Sequence, residues 1–409
     1  MKRFSALMVL ASLLLYVTTL ALAQTKPTTA PYPIVGTGQT KCYDARTEIP
    51  APQPAAPFFG QDAQHPGPAP AYQDNADGTI SDTVTGLMWV KARGSKVTWN
   101  QASADAPNCR VAGHTDWRMP TIKELYSLIN FTGAFRLNAQ QSTPYLNTRI
   151  FDFKYGDLSL GEREIDCQDW SATTYVGTTM NGNPTAFGVN FADGRIKGYP
   201  KSTPRGDNKR YVRYVRGNPS YGRNDFHDNK DGTITDRATT LTWSKDDSAK
   251  GMDWPTALAW VQAKNREAYL GHSDWRLPNA KELQSLVDYT HAPAATDPAA
   301  RGPAIDPLFT ISRLPDGDYP FFWTSTTHLD GPPDRAGTAA VYVSFGRATG
   351  WMSFPPGRGE LQLLDVHGAG AQRSDPKTGD PADYPHGRGP QSDVIRITNY
   401  VRLVRSSAP

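Results

Sequence analysis

The stretch "GHTDWRMPTIKELYSLI" (residues 113–129) returns almost unchanged as "GHSDWRLPNAKELQSLV" (271–287), 158 positions later. Both copies read as a tight Trp-Arg-x-Pro corner that feeds a capped helix. Proline disfavours the α region for the residue before it, so Met119 and Leu277 are expected to be extended. Thr121 with Glu124, and Asn279 with Glu282, then make the capping box that starts a helix. Ile122, Leu125, Leu128 and Ile129 supply its apolar stripe. At the corner, Trp117 and Trp275 are expected to bury their rings. Arg118 and Arg276 are expected to clamp loop carbonyls or a carboxylate. Together Trp117, Arg118, Pro120, Glu124, Trp275, Arg276, Pro278 and Glu282 form a structural set.

The duplication extends in both directions with its order kept. "DNADGTISDTVTGLMWVK" (74–91) matches "DNKDGTITDRATTLTWSK" (228–245), and "DWSATTYV" (169–176) matches "FWTSTTHL" (322–329). "AFGVNFADGRIKG" (186–198) resembles "AVYVSFGRATGWM" (340–352), and "YVRYVRG" (211–217) matches "YVRLVRS" (400–406). Matched segments in one order imply two domains of one fold. The spacing grows from 154 residues for the first pair to 189 for the last, which places an insertion, residues 353–393, late in the second unit. Each unit begins with an Asp-Gly hairpin signal. A helix capped by Thr98 or Asp253 follows, with Ala257, Leu258 and Val261 on one face of the second copy. Then come the Trp-Arg corner, the second helix, long Gly/Pro/Asp loops, short aromatic strands and a terminal YVRxVR strand. The predicted class is α+β, in two independently packed modules.

The ends set the context. Lys2 and Arg3 precede an uncharged Leu-rich run that closes on Ala21-Leu22-Ala23, the pattern of a secretory signal peptide over residues 1–23. Residues 24–71 form a Pro-rich leader, expected to be semi-extended and to wander or pack on the first domain through Phe58 and Phe59. The units follow as 72–217 and 218–406. Removing Lys2 and Arg3 lowers the formal charge from +3 to +1, so the chain carries no global attraction for polyanions. Nucleic acid is not an expected partner, and no span is expected after signal removal. Oligomeric state is left open. Export leads to the periplasm, the cell surface or the medium. There the three cysteines permit one disulfide, assigned to Cys109 and Cys167 because Cys42 lies in the leader.

Candidate chemistry is sparse. The stretch 195–217 holds eight Lys/Arg against one Asp. Arg195, Lys197, Lys201, Arg205, Lys209 and Arg210 make it a candidate sulfate or phosphate patch, against the alternative of a solvated edge. In the insertion, Asp365, His367, Arg373 and Asp375 converge on a Gly-rich loop that is either a pocket or ordered surface. The Asp-Gly loops lack the carboxylates of an EF-hand; a looser calcium site on Asp74, Asp77 and Asp82 is the alternative to a plain turn. His114 with Asp116, and His272 with Asp274, lack metal-site spacing, so no metal is assigned. No nucleophile elbow, P-loop or zincin motif appears, and no catalytic residue is assigned.

The ordered set DGTI, GLMW, DWRxP, KEL, WxST, FxxGR and VRxVR resembles the DUF1566 family. It is also called the Lcl C-terminal domain family, after a Legionella collagen-like adhesin. The resemblance covers both units and implies two tandem C-type-lectin-like domains, each with two helices, a small antiparallel sheet, neighbouring termini and presenting loops. It also implies surface attachment and binding of sulfated glycans, as in some relatives. The chain departs from the family at Ala51, Tyr214 and Leu403, where relatives carry Cys, and at His114 and His272, where they carry an aromatic. The reading is an exported tandem binding module for an extracellular glycan or surface polyanion. A structural or protein-interaction component of the cell envelope is the alternative, and an enzyme on the Asp365–Asp375 loop a third.

Overall fold

The computed structural model describes residues 30–353 and 358–406 of the 409-residue chain. The expected signal peptide lies outside the described residues. Both halves open on the Asp-Gly turn. Asp77 Oδ1 accepts the Thr79 N–H at 3.0 Å, and Gly78 sits at φ +89°. Asp231 and Gly232 repeat this at 2.9 Å and the same φ. Only glycine takes that left-handed backbone without strain. The turn joins Tyr72–Asp74 to Thr79–Asp82 in one antiparallel sheet with Leu87–Val90 and Val215–Gly217. Phe226–Asp228, Thr233–Asp236, Leu241–Ser244 and Val404–Ser406 form its counterpart. The last strand of each unit therefore returns to the same sheet and pairs with its third strand, Leu87–Val90 or Leu241–Ser244.

Four α-helices occur among the described residues: α1 (Trp99–Asp105), α2 (Ile122–Ser127), α3 (Trp254–Arg266) and α4 (Ala280–Ser285). Thr98 caps α1 and Asp253 caps α3 through their side-chain oxygens. Both capping boxes form, and Glu124 and Glu282 each do a second job. Arg118 meets both oxygens of Glu124 at 2.7 and 2.6 Å. Arg276 meets those of Glu282 at 2.5 and 2.6 Å. The corner arginine and the helix cap are thus one bidentate unit, with Trp117 and Trp275 buried behind it.

The YVRxVR motif differs from expectation. Only its last three residues are strand, because Arg213 and Arg402 are fully buried and turn inward. Arg213 donates to the carbonyls of Val90, Lys91 and Asp152, and Arg402 to those of Ser244, Lys245 and Thr310. A guanidinium with several fixed donors can satisfy three buried carbonyls at once.

The halves share their largest apolar cluster, while each keeps a smaller one of its own. A six-stranded antiparallel sheet runs Phe321–His328, Ala339–Ser344, Gln372–Pro376, Arg195–Pro200, Asn183–Asn190, Asp169–Thr179. The inserted strand Gln372–Pro376 stitches the two meanders together through Gln372 and Ile196. One apolar cluster holds Trp89, Leu125, Phe187 and Val215 of the first copy with Trp243, Leu283, Val341 and Val404 of the second. Helices α2 and α4 meet with reciprocal bonds. Lys123 Nζ donates to the carbonyl of Ser285 and Lys281 Nζ to that of Ser127, both at 2.8 Å. The duplicated sequence predicts two cores; its equivalent faces instead pair with each other, because each buries apolar surface the other leaves exposed.

The leader is also placed differently. Phe58 packs on the second copy, 6.4 Å from Trp254, and Gln39 bonds to both N–H and C=O of Thr327, while Thr37 and Gln39 also bond to the backbone of Phe131 in the first copy. Among the described residues no helix is long and apolar enough to cross a membrane.

Candidate functional site

The insertion and the basic stretch, read as separate candidates in different halves, meet at the seam of the six-stranded sheet. They line one cleft of about 890 Å³. Arg195, Lys197 and Arg210 come from the first copy, and His367, Arg373 and Asp375 from the second. His328 and Asp330 close one side. Eight basic side chains line the cleft against five aspartates, so its net charge is positive.

Buried charges need partners, and most here have one. Arg195 reaches Asp330 at 2.7 Å and Asp193 at 3.1 Å, and Lys197 lies 3.6 Å from Asp193. Only 18% of the Arg195 side chain and 14% of Lys197 is exposed, which removes the alternative of a solvated edge for these two. Register explains it: both face the seam from an inner strand. Asp393 joins His367, at 2.7 Å, to Arg373. Arg373 still has Nε and Nη1 buried without a protein partner, and the Arg210 Nε, Asp193 Oδ1 and Tyr199 hydroxyl share that condition.

The titrating groups follow their surroundings. Burial lowers Lys197 to about 7, with Arg373 and Arg195 adding to it and Asp193 opposing. Burial, then the neighbouring Arg195, holds Arg373 at about 10. His328 falls to about 4, chiefly through burial. His367 is pushed down by burial and by Arg373, so its ring is neutral near pH 7. Burial alone would raise Asp193, but Lys197, Arg195 and Arg373 outweigh it and hold the carboxylate ionised. The result is a cleft floor of fixed guanidinium charge with a titratable amine beside it.

Of the other sequence candidates, only Asp375 borders the cleft. Lys201 sits over the Trp99 ring at 4.5 Å. Arg205 is exposed on the Ser202–Asp207 hairpin, and Lys209 pairs with Thr98. Asp365 is not at the cleft: it is buried, accepts from the Tyr175 hydroxyl at 2.6 Å and from Gly368 N–H, and rises to about 6 through burial. Asp375 accepts from Arg396 N–H, Ile397 N–H and Asn399, and rises to about 6 for the same reason. The Asp365–Asp375 segment is thus largely buried, with His367, Arg373 and Asp375 turned to the cleft.

Cys42, Cys109 and Cys167 are all free thiols, so the Cys109–Cys167 disulfide does not form. Cys167 is buried with its sulfur 3.7 Å from Asn190 Oδ1, while Cys109 caps the short turn after α1. The carboxylates considered for calcium are engaged in turns: Asp74 pairs with Lys91, Asp77 with Thr79, and Asp82 with the N–H groups of Val84 and Thr85. Among the described residues no group of three or more His, Cys, Asp or Glu side chains is arranged to hold a metal.

Sequence reasoning missed Asp193, His328, Asp330 and Asp393. One signal was available: His328 stands where the first copy has Tyr175, a polar change inside a matched strand.

A duplicated α+β unit with its charged cleft at the seam defines a tandem module whose two copies share their largest apolar cluster. The family model of the Lcl C-terminal domain matches residues 78–216 and 232–358, more than half of the chain, and the chain belongs to that family in two copies. The second match ends before His367, Arg373 and Asp393, so about a third of the cleft lining comes from sequence beyond it. No curated protein matches the chain.

Proposed function

We propose that this chain is an exported, adhesin-like binding protein whose seam cleft takes an anionic extracellular glycan or another surface polyanion. One observation carries the reading: Arg195 and Lys197 of the first copy and Arg373 of the second converge in one cleft, with Arg373 donors lacking a protein partner. Guanidinium groups suit sulfate and carboxylate through paired N–H donors. Membership of the Lcl C-terminal domain family supports a surface-associated module. We take residues 72–217 and 218–406 as the units, after a signal peptide and a leader. A last strand that returns to the sheet of the first hairpin in each unit supports a C-type-lectin-like architecture for them.

The test is retention on immobilised heparin and on a glycan array. Joint replacement Lys197→Met, Arg335→Ser and Arg388→Ser is expected to weaken binding by about tenfold or more and to lower the eluting salt, because screened charge supplies the attraction. Arg335 and Arg388 are exposed at the rim, so their loss leaves the fold intact. Undiminished retention by the triple variant refutes the cleft as the site. Running the array with and without calcium tests Asp74, Asp77 and Asp82 as an oxygen site in the same experiment.

A further inference from the structure

The two Trp-Arg corners are built alike and covered differently. In the second copy Thr326 Oγ1 accepts the Ala280 N–H at 2.9 Å and donates to Asp62 of the leader. Phe58 lies against Trp254, which has no exposed surface, and Arg276 keeps only 11% of its side chain exposed. In the first copy Thr173 Oγ1 accepts the Ile122 N–H at 3.0 Å. Trp99 Nε1 donates to Ser171 O at 2.9 Å, as Trp254 Nε1 does to Thr324 O at 2.8 Å. Yet Trp99 is only half-buried and 39% of the Arg118 side chain is exposed. An open groove of about 860 Å³ lies over Trp99, Arg118, Thr121 and Thr173.

Chain length explains the difference. Gly36 and Asn224 are equivalent points, since each takes the buried lysine of the opposite helix: Gly36 O from Lys281 and Asn224 Oδ1 from Lys123. From Asn224 the chain enters a strand at Phe226. From Gly36 it travels to Tyr72 first, and that detour fills the groove of the second copy. The first copy has the same receptor surface, and among the described residues no segment occupies it.

We propose that the open groove on the first copy docks an extended peptide segment of a partner protein, one with an aromatic ring four residues before a carboxylate. The leader segment Phe58–Asp62 in the second groove is the template. The ring packs on Trp99, and the carboxylate takes the Thr173 hydroxyl as Asp62 takes that of Thr326. This is a different surface from the seam cleft, and a different class of ligand.

The probe is a fluorescent peptide of residues 56–66, APFFGQDAQHP, titrated into the full chain by anisotropy. Saturable binding is expected, weakened about tenfold or more by Asp62→Asn in the peptide and by Thr173→Val in the protein. Because Thr173→Val also removes an acceptor from the start of α2, Ser103→Trp serves as the second variant: it fills the groove from exposed α1 and leaves that bond alone. The Lys197→Met, Arg335→Ser, Arg388→Ser protein is expected to bind the peptide normally, which separates this result from the glycan reading. Absence of saturation at millimolar peptide overturns the proposal. So does binding that survives Ser103→Trp but is lost with Thr326→Val, which would mean exchange of the leader in the second groove.

Discussion

Asp169–Thr179 and Phe321–His328 carry one pattern, DWSATT against FWTSTT, and meet opposite fates. The second is buried along its whole length, while the first leaves Ala172 and Thr174 exposed. Polarity does not decide this, for the buried strand holds four consecutive hydroxyl residues, Thr324 to Thr327. What decides it is cover. The leader brings Gln39 to the backbone of Thr327 and Asp62 to the hydroxyl of Thr326. Buried polar groups are tolerated where partners arrive with the burial.

The largest break in this contrast is removal of the cover. Deleting residues 30–70 is expected to cost on the order of 5 kcal/mol or more, since Tyr32, Val35, Cys42 and Tyr43 are all buried. The urea midpoint of the truncated chain measures it. An unchanged midpoint would mean that the second copy stands without its leader. A smaller difference is expected between the corner arginines. Arg276→Ala should cost about 3 kcal/mol, because it strands Glu282 in a covered site. Arg118→Ala should cost about 1 kcal/mol, because its ion pair already meets solvent. Equal losses in urea would erase the distinction between covered and open corners.

The smallest effect concerns His328, which matches Tyr175. Burial lowers its folded pKa to about 4, below the ordinary 6.5. The unfolded chain therefore binds the proton first as pH falls, and stability from this group is lost between about 6.5 and 4. His328→Gln should flatten the pH dependence of Tm across that window. A variant whose slope matches the parent would exclude His328 as its source. The three buried carboxyls Asp62, Asp365 and Asp375, each raised to about 6, act in the opposite sense between pH 4 and 6. The comparison with the variant isolates the histidine from them.

Local elements were legible because their causes are local. Thr121 with Glu124, Asp253 before Trp254-Pro255 and the Asp-Gly turns each specify their own few residues, and the structure has them all. Family and duplication were equally legible, from motif order. Long-range placement was not. Nothing near Arg195 indicates that strand Gln372–Pro376 will lie beside it, so a buried seam reads as a charged edge. Nor does proline content tell whether a leader wanders or seals a groove. Arg213 and Arg402 show the same limit: "VR" repeated in a strand-like segment gives no sign that its arginines will serve buried carbonyls.

The reciprocal lysine contacts carry a last consequence. Lys123 with Ser285 and Lys281 with Ser127 obey a two-fold relation, the arrangement of a self-complementary homodimer. A one-copy ancestor with this helix face would have assembled only above a threshold concentration. Joining the copies in one polypeptide makes that encounter intramolecular. The joined copies thus keep their shared seam at any dilution, where a dissociable pair would come apart.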